Sequence, residues 1–214
     1  MSAHWHRYDT ATVWADAVSA ALLAPVSALA ADARACLILT GGSTPGPIYT
    51  RMAAAPIPWP QLTLLLSDDR RVPADSEHSN LRTLRAHFEG LGARIPELTE
   101  SVAQSVLPAC VGLLGMGPDG HVLSWFAEAD GYAEALTTHQ RTQTINAENA
   151  AVAAPIFRRI SLSLAAVRQC SVWHIAIRGA DKRRVAEAAL NGADYPVTVL
   201  LAQAELDIHF HWCD

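Results

Sequence analysis

Cys36-Leu37-Ile38-Leu39-Thr40-Gly41-Gly42-Ser43-Thr44-Pro45 joins an unbroken apolar run to a turn of small residues and a proline. Apolar runs of this length without polar alternation suit strands covered on both faces, as in a parallel sheet. The glycines allow a sharp turn at the strand end, and Pro45 is placed to open a helix. The same grammar recurs downstream. Leu62 to Leu66 runs into Ser67-Asp68-Asp69-Arg70-Arg71-Val72-Pro73, and Val111 to Leu114 into Gly115-Met116-Gly117-Pro118-Asp119-Gly120-His121. Val172 to Ile177 is a fourth such run. Asn80 to Phe88 reads as a helix, with Ser79 and Asn80 as capping candidates. Upstream, Asp9 or Thr10 can cap a helix in which Trp14, Val18, Leu22 and Val26 recur every four residues, ended or kinked by Pro25. Asp181 can cap a later helix through Leu190, stopped at Asn191-Gly192. Arg159-Ile160-Ser161-Leu162-Ser163-Leu164 alternates as a half-exposed strand would, and Val197 to Leu201 and Ile208 to Trp212 read as closing strands. Strands alternating with helices predict an α/β fold. The expected form is a three-layer, open, mostly parallel, Rossmann-like sheet with helices on both faces, residues 1–214 making one domain.

Composition narrows the function classes. Half of the 214 residues are apolar, enough for a sizeable core without disulfides or metal, which excludes a disordered chain. Sixteen basic residues against twenty-one acidic give a formal charge of −5 with no basic block, an unfavourable balance for nucleic-acid binding. Lys182 is the single lysine among those sixteen, so every other cation is an arginine. Cys36, Cys110, Cys170 and Cys213 are too far apart for a CxxC redox motif or a zinc knuckle, and three of them read as buried thiols. Met1 to Thr10 carries two histidines, Arg7 and Asp9 in place of the apolar centre of a signal peptide. Ala15 to Ala31 is broken by Asp16 and Pro25 and fails as a membrane span. The expectation is a cytoplasmic protein with no membrane or nucleic-acid partner, monomeric or weakly homo-oligomeric.

The chemistry is expected where the polar clusters follow strands, because open α/β sheets bind ligands at the strands' carboxyl ends. In the first cluster, Gly41 and Gly42 bring backbone N–H groups near a bound oxyanion, and Ser43 and Thr44 add hydroxyl donors. It matches neither the GxGxxG fingerprint nor a Walker loop, so NAD and ATP are unsupported. In the second, Arg70 can hold a phosphate by two parallel hydrogen bonds, and Asp68 can orient a guanidinium or a histidine. The third is the most informative. Gly115, Gly117 and Gly120 surround Asp119 with little side-chain bulk, and His121 would emerge at the start of a helical turn through Trp125. Imidazole is the side chain best suited to taking a proton from water near neutral pH. No Gly-x-Ser-x-Gly elbow or activated cysteine supports covalent catalysis. His209 and His211 share one strand face, but with no carboxylate motif beside them they read as a terminal strand, and no metal is expected.

In this order the clusters resemble the 6-phosphogluconolactonase family, within the wider group that includes glucosamine-6-phosphate deaminases. Leu39 to Pro45 is similar to that family's SGGSTP segment, and Asp68 to Pro73 with Ser79-Asn80 to its DERxVP…SN segment. Leu113 to His121 matches its LLGMGxDGH loop closely; Arg159 to Leu164 resembles its RxTLTL strand, and Gly179 to Lys182 its GxxK helix start. The chain departs from the pattern after the histidine. Where the family continues GHTASLFP, this chain reads Gly120-His121-Val122-Leu123-Ser124-Trp125-Phe126-Ala127; Asp69 replaces the usual Glu, and the late PAS-type segment survives as Tyr195-Pro196-Val197-Thr198.

The resemblance implies hydrolysis of 6-phospho-D-glucono-1,5-lactone to 6-phosphogluconate in the oxidative pentose phosphate pathway. The substrate would be a small phosphorylated sugar lactone, and no metal or organic cofactor is required because the ester is already activated. His121 would accept the proton of the attacking water and Asp68 would orient His121 or Arg70. Backbone amides from Gly41-Gly42 or from the Gly115 to Gly120 loop would hold the oxyanion. Arg70 and Lys182 lead as phosphate ligands, with Ser43 and Arg159 behind them. Two rivals stand beside this reading. A deaminase or isomerase of aminosugar phosphates would use a carboxylate in the Asp68 position on carbon two, but typically carries Asn and Glu close behind the histidine. A non-catalytic sugar-phosphate-binding homologue would keep the loops without turnover.

Overall fold

The four apolar runs become strands of one sheet in the computed structural model, which describes residues 3–27, 29–30 and 32–214. The chain runs β1 (Ala3–Arg7), α1 (Ala11–Leu23), β2 (Ala35–Leu39), α2 (Gly46–Ala53), β3 (Leu62–Leu66), β4 (Asp68–Arg70), α3 (Asn80–Phe88), α4 (Glu100–Val106) and β5 (Val111–Gly115). It continues through α5 (Tyr132–Thr137), β6 (Thr142–Asn146), β7 (Arg158–Leu162), α6 (Leu164–Val167), β8 (Val172–Arg178), α7 (Ala180–Leu190), α8 (Pro196–Leu201) and β9 (Asp207–Cys213). Six strands pair in the order β1-β9-β8-β5-β2-β3, every neighbour parallel. All five residues of β2 are buried, as expected of a strand covered on both sides.

Connectivity decides where a ligand can bind. From β2 the chain steps outward to β3, then returns to the other side of β2 for β5 and continues through β8 to β9. The direction of winding therefore reverses between β2 and β5. Right-handed crossovers put the helices of the two halves on opposite faces, and the reversal opens a crevice between the turns that follow β2 and β5.

The helices are fixed by the expected devices. Thr10 caps α1 by accepting from Val13 N, and Trp14, Val18 and Leu22 lie fully buried along one side; a 3₁₀ turn carries Pro25 and buried Val26. Ser79 caps α3 through Arg82 N. Burial and three backbone amides act oppositely on Asp69. Burial pushes its carboxyl up, the N–H groups of Asn80, Arg70 and Leu81 pull it down, and the net shift is upward. Its oxygens accept from Asn80 N at 2.7 Å and Leu81 N at 3.1 Å, so Asp69 ties β4 to the start of α3.

Several expectations fail for physical reasons. Val197 to Leu201 belongs to α8, not a strand: Pro196 sits in its first turn, and Val197, Leu200 and Leu201 bury one side at helical spacing. β-Branched propensity yields there to tertiary burial. The stretch from Arg159 is a strand but not half-exposed. As β7 it is the middle strand of a separate antiparallel sheet, β4-β7-β6, and its residues from Arg159 to Leu162 are all buried. Asp181 lies in the first turn of α7 and pairs with Arg184; the N-cap is Gly179. After His121 there is no helical turn. Trp125 N donates to Val122 O at 2.9 Å in a tight turn that holds Leu123 at φ 54°. β1, whose short polar run gave no strand signal, lies along β9 from Ala3↔Ile208 to Arg7↔Trp212.

Met1, Ser2, Ala28 and Ala31 belong to the stretches weighed above as leader and membrane span, and they lie outside the described residues. Among the described residues no helix is long and apolar enough to cross a membrane. The buried apolar side chains form one contiguous core, which includes Cys36, Cys170 and Cys213.

Candidate active site

The three polar clusters meet in a cleft of about 420 Å³ at the winding reversal. Its walls are Thr40 to Pro45 after β2, Asp68 and Arg70 of β4, Gly115 at the end of β5 with Met116 to Pro118 and His121 after it, Arg159 of β7 and Lys182 of α7. Asn80, Leu123, Phe126 and Val152 complete it.

His121 is held by its own loop. Its Nδ1 lies 2.6 Å from Asp119 Oδ1, a pair with side chains 22% and 36% exposed. Burial tends to raise the Asp119 carboxyl, but the hydrogen bond and charge of His121 outweigh it, and Asp119 falls below its ordinary value. An ionised Asp119 fixes the proton on Nδ1 and leaves the Nε2 lone pair as the basic site. Phe126 packs on the imidazole with ring centroids 4.4 Å apart. A Cβ on Gly117 would collide with the His121 ring and with Asp119, so glycine is needed there for the close approach itself.

Asp119, then, is the carboxylate that orients His121; the expectation that Asp68 does so is corrected. Asp68 is buried and accepts from Ser67 Oγ at 2.8 Å and Ser124 Oγ at 2.7 Å. Nor does it hold the Arg70 guanidinium, which donates to His78 O at 2.8 Å. The loop's backbone is also more committed than expected. Gly117 N–H donates to His121 O at 2.8 Å and Gly120 N–H to Gly117 O at 3.1 Å, so neither is an oxyanion donor. Among the described residues, nothing accepts from the N–H groups of Gly41, Gly42, Ser43 and Thr44. That turn presses against α3: a Cβ on Gly41 would collide with the Asn80 side chain, whose Nδ2 donates to Asp68 O at 3.0 Å.

The cations are arranged against their own repulsion. Arg70 and Arg159 are direct partners across the antiparallel pair of β4 and β7. Like charges so placed destabilise a sheet unless something anionic lies between or beside them. Burial pulls the Arg159 guanidinium below the ordinary arginine value; Asp68 opposes that shift and Arg70 adds to it. Arg159 donates to Ala153 O at 2.8 Å and lies 5.3 Å from the Phe126 ring centre, while Nε of Arg70 and of Arg159 are buried without a partner among the described residues. Arg158, its exposed neighbour, faces away from the core. Lys182 is pulled down by burial and held up by Asp119. The cleft therefore offers unused donors on one side and an oriented imidazole on the other.

A family model for glucosamine-6-phosphate isomerases/6-phosphogluconolactonase matches residues 9–109 and 90–210. The chain belongs to that family. It is 30% identical to the 6-phosphogluconolactonase of Caulobacter vibrioides, with 93% of this chain and 92% of that one aligned. The 6-phosphogluconolactonase of Rhizobium meliloti is 28% identical with 99% of both chains covered. The crystal structure of a 6-phosphogluconolactonase from Shewanella baltica superposes with a TM-score of 0.89 at 27% identity, covering 99% of this chain and 97% of the other. Against the family pattern, the first two of the four substitutions after His121 separate. Val122 is fully buried, whereas Leu123 lines the cleft. Ser124 and Phe126 were not singled out from the sequence, although both keep the family's residue types; only the fold shows that they touch Asp68, Arg159 and His121.

Proposed function

We propose that this chain, acting as a single domain, hydrolyses 6-phospho-D-glucono-1,5-lactone to 6-phospho-D-gluconate with His121 as general base. The observation that carries the reading is the Asp119-oriented imidazole facing the same cleft as Arg70, Arg159 and Lys182. His121 Nε2 takes a proton from water as the water oxygen bonds to the lactone carbonyl carbon. The carbonyl oxygen becomes an oxyanion, which the N–H groups of Gly41 and Gly42 stabilise; one such donor is worth about 3 kcal/mol in the transition state. Collapse of the tetrahedral intermediate breaks the bond from that carbon to the ring oxygen, and His121 returns its proton to the departing oxygen. Arg70 and Lys182, with Arg159 and the Ser43 and Thr44 hydroxyls, hold the phosphate. Asp68 shapes the floor through Ser124 and balances Arg159.

Asp68 also weighs against aminosugar deamination. Each of its oxygens is held by a hydroxyl, which fixes the carboxylate in place, and no second carboxylate of the described residues lines the cleft. The test is acid release from freshly prepared 6-phosphogluconolactone at constant pH, corrected for spontaneous opening. Turnover above that background is expected. Binding of 6-phosphogluconate without turnover would instead show a sugar-phosphate-binding homologue.

A further inference from the structure

A second grouping of chemistry-bearing side chains lies far from the cleft. Asp207 and His209 open β9, and the pairing of β1 with β9 brings His4 directly opposite His209. Because the sheet is parallel, this is its amino-terminal edge. The cleft lies beyond the opposite ends of the strands, and a seven-residue strand such as β9 spans about 20 Å. The Asp207 carboxylate sits between two imidazoles: Oδ1 is 3.2 Å from His4 Nε2 and Oδ2 is 3.1 Å from His209 Nε2. One ligand atom from each of the three residues can be chosen so that all lie within 4.8 Å of one another.

We propose that His4, Asp207 and His209 form a binding site for a divalent transition-metal ion of the zinc class, which clamps β1 to β9. The two nitrogen–oxygen distances, 3.2 Å and 3.1 Å, are close to the roughly 3.3 Å that separates donors 2.0–2.1 Å from a tetrahedral ion. The donor set fits as well, since two imidazoles with one carboxylate suit zinc and its neighbours, whereas calcium and magnesium favour all-oxygen shells. His209 is oriented as a ligand would be. Its other ring nitrogen, Nδ1, lies 2.9 Å from His6 Nε2, which fixes the ring; with the proton on Nδ1, Nε2 would present its lone pair to an ion. The His4 and His209 rings stack with centroids 4.7 Å apart, both reaching the same carboxylate. The side chains of His4 and Asp207 are 56% and 48% exposed, so an ion can enter and a water can fill the fourth position. β1 is an edge strand that, among the described strands, pairs with β9 alone, and a metal bridge would add a side-chain tie across the pair.

Titration of the metal-free, untagged full chain with ZnCl₂ by calorimetry tests the proposal, with melting temperature as the second readout. One ion per chain is expected, together with a rise in melting temperature that Mg²⁺ does not reproduce. His4→Ala and Asp207→Asn should each weaken zinc binding at least tenfold and abolish the thermal shift while circular dichroism stays unchanged. His121→Gln should leave binding intact, which separates this site from the other Asp–His pair in the cleft. The proposal is overturned if the metal-free chain binds no zinc at 100 µM. It is equally overturned if binding survives both His4→Ala and Asp207→Asn, or disappears with His121→Gln.

Discussion

Asp119-Gly120-His121 and Asp207-Ile208-His209 carry the same two functional residues at the same spacing, at opposite edges of one sheet. Their geometries differ because their backbones differ. In the glycine loop the carboxylate reaches Nδ1 of its histidine, so Nε2 is left for the cleft. On the extended strand, residues two apart share a face, and Asp207 meets Nε2 instead while Nδ1 turns to His6. The surroundings differ more. The first pair faces arginines and a lysine, partners for an anionic substrate; the second faces further imidazoles, partners for a cation. An Asp-x-His pair thus has no chemistry of its own until the fold supplies its neighbours.

The largest expected effect breaks that comparison at the cleft. His121→Ala should lower kcat at least about a hundredfold with little change in KM, the scale of a lost general base, whereas His4→Ala should leave lactone turnover unchanged. Steady-state kinetics on the two variants decide it, and near-normal turnover by His121→Ala would remove the imidazole from the mechanism. Gly117→Ala tests positioning while leaving both Asp119 and His121 unsubstituted. The added methyl collides with the imidazole, and a reacting group displaced by about 1 Å loses tenfold or more in kcat. Chemical-shift mapping should find the perturbation confined to the cleft loop and absent from β1 and β9.

Lys182→Ala sharpens the contrast in charge. KM for the phosphorylated lactone should rise about tenfold, as loss of one charge-assisted contact implies, while hydrolysis of unphosphorylated gluconolactone is spared. Equal loss on both substrates would take Lys182 off the phosphate.

The smallest effect concerns a carboxylate outside both pairs. Glu100 of α4 accepts from Thr142 N at 2.7 Å and from Arg141 N at 2.9 Å. Burial works to raise its carboxyl, but these hydrogen bonds prevail and hold it below the ordinary value. A depressed carboxyl contributes stability above its unfolded pKa, and that stability is lost as pH falls through the folded value. Thermal melts should therefore show Glu100→Gln a few degrees less stable than the parent at pH 7, with the gap closing below pH 4. The exposure of the site keeps this effect small.

Much of the scaffold was readable one segment at a time. The runs at β2, β3, β5 and β8 announced themselves because strands buried on both faces need nearly unbroken apolar sequence, β9 because its residues alternate, and α1 and α3 because their caps and spacing are local. β4 and β7 were harder to read, since their partner is a second sheet whose existence no local pattern signals; α8 reads as a strand until its burial is known. The same division runs through the site. The residue types of the GGST, DDR and GMGPDGH clusters point to an anionic ligand and an imidazole base, and the resemblance that their order carries implies the sugar.

What the chain's residues determined alone was the buried central strands and the residue types of the site, because burial periodicity, turn glycines and side-chain acidity are properties of short segments. Tertiary structure decided which carboxylate holds His121, which loop amides remain unused, that Arg70 faces Arg159, and that His4 meets Asp207 from the other end of the chain. Those are matters of strand order and register. They arise between segments far apart in sequence, where no local pattern carries the information.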